Sequence, residues 1–491
     1  MKNIKTSKFN YFILFIIPIL LFLIENFTID NDFWFTIAEG KYVLKNGFPH
    51  TVPFTIYNNL DFIYQSWGTG VIFYLIHKYF GLYGMLFFVI IILIIITCLY
   101  YKLCMLVSNK NKILSTIVTI VTMSLLASTF ITTRPQIFTY LNLILVLYIM
   151  ELYAKTNNKK YLLILPIISL IQINIHGMFF FMLFIFMLPY IVNAFKFNFK
   201  NDIQKKYDLK PIVLIMIIML LTGLINPYGI KNILYVFTSY GQKILNETII
   251  ELVPLSFSSS YDKIIIFIIF LVYFLYFKSK NIPIRHYLLL FGTTYLAFDC
   301  SRSIALFIIG ALFPLSYLYK DKIPNIDIEK YIPISIKCFI IVIFLIITSL
   351  LLIFSTKDFY PISKEPIDYL AENFNTKTMK LYINFNDGSY AVYKEIKVNI
   401  DPRAEVYLKK NNHKSDIYKE YRDLKSNNIN YKEYLDKYKF THLLVKKNDP
   451  LYEKLKEDSY NYILIKRFKD YDIYINSDNM WLTNIYICVN N

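Results

Sequence analysis

The chain is short of cysteine and glycine, with 5 and 13 among 491 residues. Cys98, Cys104, Cys300, Cys338 and Cys488 include no C-x-x-C and no metal-like pair. Neither a disulfide framework nor a cysteine metal site therefore organises the fold. The polar C-terminal part has no glycine-rich phosphate loop, which excludes a nucleotide-binding fingerprint there. An arginine-rich stripe and a base-stacking motif are also missing, so the net charge of +17 does not point to nucleic acid. No internal repeat and no matched pair of Gly/Pro-broken helices appear, which argues against a transporter. No small-residue cleavage site follows the apolar run Tyr11–Ile24. With Lys2, Lys5 and Lys8 before it, that run reads as a retained first helix rather than a signal peptide.

What the chain does have is apolar length. It is 56% hydrophobic, with a mean hydropathy of +0.43. Several runs, such as Leu82–Val107, Gly177–Phe195 and Ile334–Phe354, reach the about 20 residues that a helix needs to cross hydrocarbon. The predicted fold is an all-α polytopic membrane bundle of about 11 spans over residues 1–354, followed by a smaller α/β domain over 355–491. Lysines in the short loops place the N-terminus in the cytoplasm of a multi-pass plasma-membrane protein, and the C-terminal domain outside. A long first outer loop covers residues 25–67.

This topology sorts the polar motifs. Lysine runs mark one side, including those at Lys110 and Lys112, at Lys155, Lys159 and Lys160, at Lys196, Lys200, Lys205, Lys206 and Lys210, and at Lys278 and Lys280. The pairs Asp30/Asp32, Arg134/Gln136, Asn174/His176, Asn226/Tyr228 and Asp299/Arg302 all fall on the other. A bundle is expected to gather them into one outward-facing cavity, and polar groups converging in a membrane protein usually line a substrate path. After residue 355 the pattern alternates. Strands are predicted at Met379–Phe385, near Val398–Ile400, and at His442–Lys446, Tyr462–Arg467 and Tyr471–Ile475. Helices are predicted around Pro366–Asn373, twice within Asp416–Tyr438, and at Pro450–Glu457.

The motifs occur in an informative order. They are Asp32/Trp34/Ala38/Gly40, then Gly47-Phe48-Pro49, Tyr64-Gln65-Ser66-Trp67, Arg134-Pro135-Gln136, Asn174-Ile175-His176-Gly177, Asn226-Pro227-Tyr228-Gly229 and Asp401-Pro402-Arg403-Ala404-Glu405-Val406-Tyr407. The series resembles the GT-C superfamily of membrane glycosyltransferases, in its protein-mannosyltransferase and aminoarabinose-transferase branches. It is most similar to a bacterial multi-span branch of uncertain function. The resemblance spans nearly the whole chain. It implies a sugar donor linked to polyprenyl phosphate, a glycan, lipid or protein acceptor, and a place in cell-envelope assembly. Two positions depart from the pattern. Phe33 stands where many members carry a second acidic residue, and Ser66 stands where a carboxylate often precedes the tryptophan. A divalent cation is the one cofactor the resemblance raises, and no metal ligand is assigned.

Transfer from a lipid-phosphate sugar needs a base for the acceptor hydroxyl and positive charge at the leaving phosphate. Asp32 is the candidate base, and its alternative role is to cap the following helix, Phe33–Lys45; Asp30 could share either job and is a candidate substrate contact. Arg134 suits a lipid phosphate by bidentate contact, or else snorkels or pairs with an acid. Arg302 is a second phosphate candidate, with Asp299 as its simple alternative partner. His176 could bond sugar or phosphate, join a metal site, or be a satisfied structural residue. Gln65, Gln136 and Tyr228 are candidate substrate contacts. Asn174 and Asn226 are too, although asparagines at helix ends often bond backbone. Asp401 and Arg403 read as a domain-stabilising pair or as groups facing the cavity. A catalytically silent, carrier-lipid-binding or envelope-assembly protein of the same fold remains the alternative function.

Overall fold

The computed structural model describes residues 8–195, 207–239, 241–279, 282–326, 331–353 and 359–477. Lys2, Lys5, the lysines at 196, 200, 205 and 206, Lys280 and Cys488 lie outside them. Seven helices among the described residues are long and apolar enough to cross a membrane. They are Trp67–Val107, Lys112–Thr129, Gln136–Thr156, Gly177–Ala194, Ser260–Phe277, Ser301–Leu318 and Ile334–Leu352. Phe12–Asn26 and Lys210–Thr222 are apolar but shorter. The eleven spans read from the sequence include such shorter helices. This is a helical membrane protein with a small C-terminal sheet.

The chain forms two compact units. The helical unit takes its described residues from 8–28, 82–233 and 245–353. Its helices start and stop where local chemistry directs. The Asn111 side chain accepts the Leu114 N–H at 3.2 Å and Ser259 accepts that of Asp262 at 2.9 Å, each satisfying an N-terminal donor. Asn157, at φ 54°, closes the Gln136–Thr156 helix in the left-handed region. Hydroxyls inside the bundle return to their own helix, as Thr97 does to Leu93 O and Thr122 to Val118 O, both at 2.7 Å. Phe267, Phe270 and Phe274 are exposed along one helix, as an apolar face toward lipid requires.

One ionic cluster is buried in this bundle. Glu151 accepts from Arg285 Nε and Nη2, both at 2.9 Å. It also bonds His286 Nε2 at 2.9 Å and accepts from Tyr190 OH at 3.0 Å. Three helices, Gln136–Thr156, Phe180–Ala194 and Ile284–Asp299, meet at this one carboxylate.

The second unit takes its described residues from 29–81, 234–244 and 359–477, so the first loop folds with the C-terminal segment. Its five-stranded sheet has the order β2-β1-β3-β5-β4. The strands are β1 Lys380–Tyr382, β2 Lys397–Val398, β3 His442–Lys446, β4 Tyr462–Arg467 and β5 Tyr471–Asn476. The first three run parallel, and β5 and β4 are antiparallel additions. Helices at Lys364–Asn373, Ile417–Lys425, Tyr431–Tyr438 and Pro450–Glu457 occupy the predicted stretches. The helix Gly388–Tyr393 had no sequence expectation. First-loop residues cover the β2 edge: Ile56 N donates to Val398 O at 3.0 Å and Val398 N to Phe54 O at 3.1 Å. An edge that would otherwise be open is thus paired within the chain.

Truncating Glu151 would strand Arg285 and His286 in the bundle. Glu151→Ala is expected to cost about 3–5 kcal/mol, and a double variant with Arg285→Met should recover part of the loss. Thermal unfolding of the detergent-purified protein checks this; an unchanged midpoint for the single variant would refute it.

Candidate functional site

The sequence motifs resolve into a cluster in each unit. In the helical unit, Arg134 and Arg302 converge on Glu251. Arg134 Nη1 donates to Glu251 Oε1 at 2.5 Å. Arg302 donates to Oε2 from Nη2 at 2.6 Å and from Nε at 3.1 Å. The segment carrying Glu251 is strapped to the turn carrying Arg302: Leu255 N donates to Phe298 O at 3.2 Å and Ser301 N to Val253 O at 3.1 Å. Burial pushes the Glu251 carboxyl up, but Arg302 and Arg134 outweigh it and hold it at about 2. Two guanidinium charges thus meet at one carboxylate. The arginine side chains are only 18% and 29% exposed, so their charge is poorly screened.

Arg302 therefore meets Glu251 rather than the suggested Asp299. The helix ends at Asp299 and Cys300 is extended, so the helical i,i+3 geometry needed for an Asp299 pair is not available. Glu251 itself escaped the sequence reading. It is a lone acid between apolar residues, 117 and 51 positions from its two partners.

His176 ends the Leu165–Ile175 helix. Its Nδ1 bonds Thr139 Oγ1 at 2.7 Å, its ring stacks on Phe179 at 4.8 Å, and Gln172 Nε2 donates to its carbonyl at 2.7 Å. Gln136 opens the neighbouring helix, and its buried Oε1 has no hydrogen-bond partner among the described residues. Asn174 donates to the carbonyls of Leu170 and Ile225, both at 2.9 Å. Asn226 donates to Gly223 O at 2.8 Å and accepts Tyr228 N at 2.9 Å. Both amides thus shape turns, and Tyr228 is buried beside the second.

In the other unit, Asp32 is the first residue of the helix Asp32–Asn46. The capping acceptor is Asp30, whose Oδ1 takes the Asp32 N–H at 2.9 Å. Asp32 is half-buried, and its carbonyl accepts Thr36 Oγ1 at 2.7 Å. The rest of the motif packs. Trp34, 1% exposed, stacks on Tyr360 at 5.3 Å and meets Tyr390 edge-on at 4.9 Å. Gly40 is a close-approach position, because a Cβ there would lie 2.0 Å from Gly70 O. Tyr64 OH donates to Thr36 O at 3.1 Å, and its neighbour Gln65 is buried.

The same helix carries Glu39, a second residue the sequence reading missed. Arg403 Nη1 donates to Glu39 Oε1 at 2.7 Å. The guanidinium also grips Asp401 twice, from Nε at 2.8 Å and Nη2 at 2.6 Å, and Tyr407 OH donates to Asp401 at 2.5 Å. One cation thus serves two buried carboxylates. For Asp401, burial raises the pKa but the bidentate Arg403 outweighs it, and the net shift is downward. Glu39 holds the lesser share of Arg403, so burial wins and its carboxyl is pushed up to about 7. Among the described residues, no three His, Cys, Asp or Glu side chains converge as a metal would require.

No protein-family model matches the chain, and no curated protein matches it. Solved structures do. The Archaeoglobus fulgidus oligosaccharyltransferase AglB, in complex with an inhibitory peptide and a dolichol-phosphate, gives a TM-score of 0.57 at 10% identity, over 98% of this chain and 75% of its own. The oligosaccharyltransferase of that organism tethered to an acceptor peptide containing the NVT sequon gives 0.61 at 11% identity, over 96% and 74%. Its complex with Zn and sulfate gives 0.50 at 10% identity, over 95% and 73%. Likeness at this identity shows that the chain shares the fold of these structures.

The raised Glu39 carboxyl has a stability consequence. Its neutral form is the cheaper one to bury, so its contribution is complete below about 4.5 and lost as pH rises through about 7. Glu39→Gln should therefore gain in thermal midpoint relative to the unsubstituted protein as pH rises from 5 to 8. A difference that stays constant with pH would count against it.

Proposed function

We propose that this protein is a membrane glycosyltransferase that moves a sugar from a polyprenyl-phosphate-linked donor to an acceptor on the outer side of the plasma membrane. The observation that carries this reading is the convergence of Arg134 and Arg302 on the single carboxylate of Glu251. It sets two guanidiniums together on a fold shared with an oligosaccharyltransferase solved with a dolichol-phosphate. In this reading about eleven helices span the bilayer, the N-terminus is cytoplasmic, and residues 355–491 are extracytoplasmic.

The roles follow from charge. Asp32 takes the proton of the acceptor hydroxyl as that oxygen attacks the sugar carbon. The bond from sugar to phosphate breaks, and the electron pair leaves with the phosphate. Arg134 and Arg302 hold that anion with charge-assisted N–H donors. His176 and Gln136 supply further polar contacts to donor or acceptor, as do Gln65 and Tyr228. Asp30, Asn174 and Asn226 hold the turns from which these groups project. The described residues do not fit a divalent cation, so the arginines take the phosphate charge and no step runs through a metal.

Asp32→Asn should stay folded and membrane-inserted yet lose at least about 100-fold in transfer. Arg134→Ala should weaken binding of undecaprenyl phosphate by about 10- to 100-fold. Transfer is followed with radiolabelled lipid-linked donor, and binding with the purified protein in nanodiscs. Full activity of Asp32→Asn would remove Asp32 from the chemistry. If lipid binding still falls with Arg134→Ala while no variant transfers sugar, the protein is a carrier-lipid binder.

A further inference from the structure

The helix Asp32–Asn46 is held at its start and at its middle by the C-terminal segment. At its start, Ser389 Oγ donates to Asn31 O at 2.5 Å and accepts Phe35 N at 3.3 Å, while Asn31 Nδ2 donates to Asn386 O at 2.7 Å. Farther along, the only side-chain hydrogen bond described for Glu39 is the one from Arg403. Asp32 and Glu39 are seven residues apart, which is about two turns and about 10.5 Å along one helix face. A rotation or slide at Glu39 therefore reaches the Asp32 carboxylate directly.

Arg403 is built to resist such movement. Asp401 orients its guanidinium from two sides and also accepts its backbone N–H at 3.0 Å. Phe35 and Phe62 flank it at 5.9 and 5.7 Å, and Nη2 reaches Pro53 O at 3.4 Å. Stability alone does not account for this arrangement, because a buried ionic group rarely beats an apolar one of the same volume. What it supplies is direction: a fixed fork accepts the helix carboxylate in one place.

We propose that Arg403 is a positioning residue, which fixes the depth and rotation of the Asp32-bearing helix through its ion pair with Glu39 and weakens that hold when Glu39 takes up a proton. This rests on the base role assigned to Asp32. The charged and titratable groups facing Glu39 are Arg403, Asp401 and Glu405 from the C-terminal segment and Tyr235 from the helix Ile230–Ser239. Arg403 is the one cation among them. The ionised fraction of a carboxyl titrating at about 7 rises about tenfold between pH 6 and pH 8.

The test uses the full chain in nanodiscs, with kcat and KM for the lipid-linked donor from pH 6 to 8 and amide exchange over residues 32–38. Arg403→Ala should lower kcat by about 10-fold or more, change KM less than about threefold, and speed exchange. Arg403→Lys should recover part of each. Glu39→Gln should flatten the rise in kcat between pH 6 and 8 and remove the matching pH dependence of exchange. The paired variant Glu39→Leu/Arg403→Met, with Asp401→Asn added so that no carboxylate is left buried without its cation, should keep its thermal midpoint but not its kcat. Wild-type kcat, pH profile and exchange in Glu39→Gln and Arg403→Ala would overturn the proposal, as would a paired variant with full kcat. If even the unsubstituted protein transfers no sugar, the glycosyltransferase reading falls, and the exchange measurements still decide whether Arg403 holds the helix.

Discussion

Charge withdrawn from water must meet opposite charge, and much of this protein is arranged around that requirement. Three clusters meet it in different ways. Glu151 takes Arg285 and His286 where three helices of the bundle cross. Glu251 takes Arg134 and Arg302 in a half-exposed turn. Arg403 takes Asp401 and Glu39 in the unit that contains the sheet. Each joins stretches that are distant in sequence, so each also fixes tertiary geometry. The stoichiometries differ: two arginines share one acid at Glu251, whereas two acids share one arginine at Arg403, and one of those acids is pushed up toward neutral pH.

Many residues that look chemical are occupied with shape. Trp34 is packed among tyrosines, Gly40 lets its helix approach Gly70, and the amides of Asn174 and Asn226 are taken up by backbone carbonyls. Asp30 supplies a side-chain acceptor for the Asp32 N–H. A motif such as Asp-x-Trp-x-x-x-Ala-x-Gly then contains one candidate chemical group and several residues that hold its helix in place. This division suits transfer chemistry, where a small displacement of a base costs rate even when every group is present.

The loop at residues 29–81 folds with the C-terminal segment. Residues 54–56 extend the β2 edge, and Asn31 and Phe35 bond the 386–389 turn. The helix bearing Asp32 is thereby supported by residues more than 340 positions later in the chain. A substitution in that distant segment therefore reaches the placement of Asp32 without any change at Asp32 itself.

The sequence alone determined the elements that depend on local rules. Long apolar runs have no other solvent than lipid, so the membrane helices were legible. The short β-branched and aromatic stretches His442–Lys446, Tyr462–Arg467 and Tyr471–Ile475 became strands at nearly those bounds, and the order of the polar motifs suggested the architecture. What only the tertiary structure decided is who pairs with whom. Glu39 and Arg403 are 364 residues apart, Glu151 and Arg285 134, and Arg134 and Glu251 117. No local spacing encodes such pairs. A lone glutamate in an apolar stretch looks the same whether it faces water, a cation or a substrate, because its role is set by the low-dielectric surroundings and the opposite charge that folding brings to it.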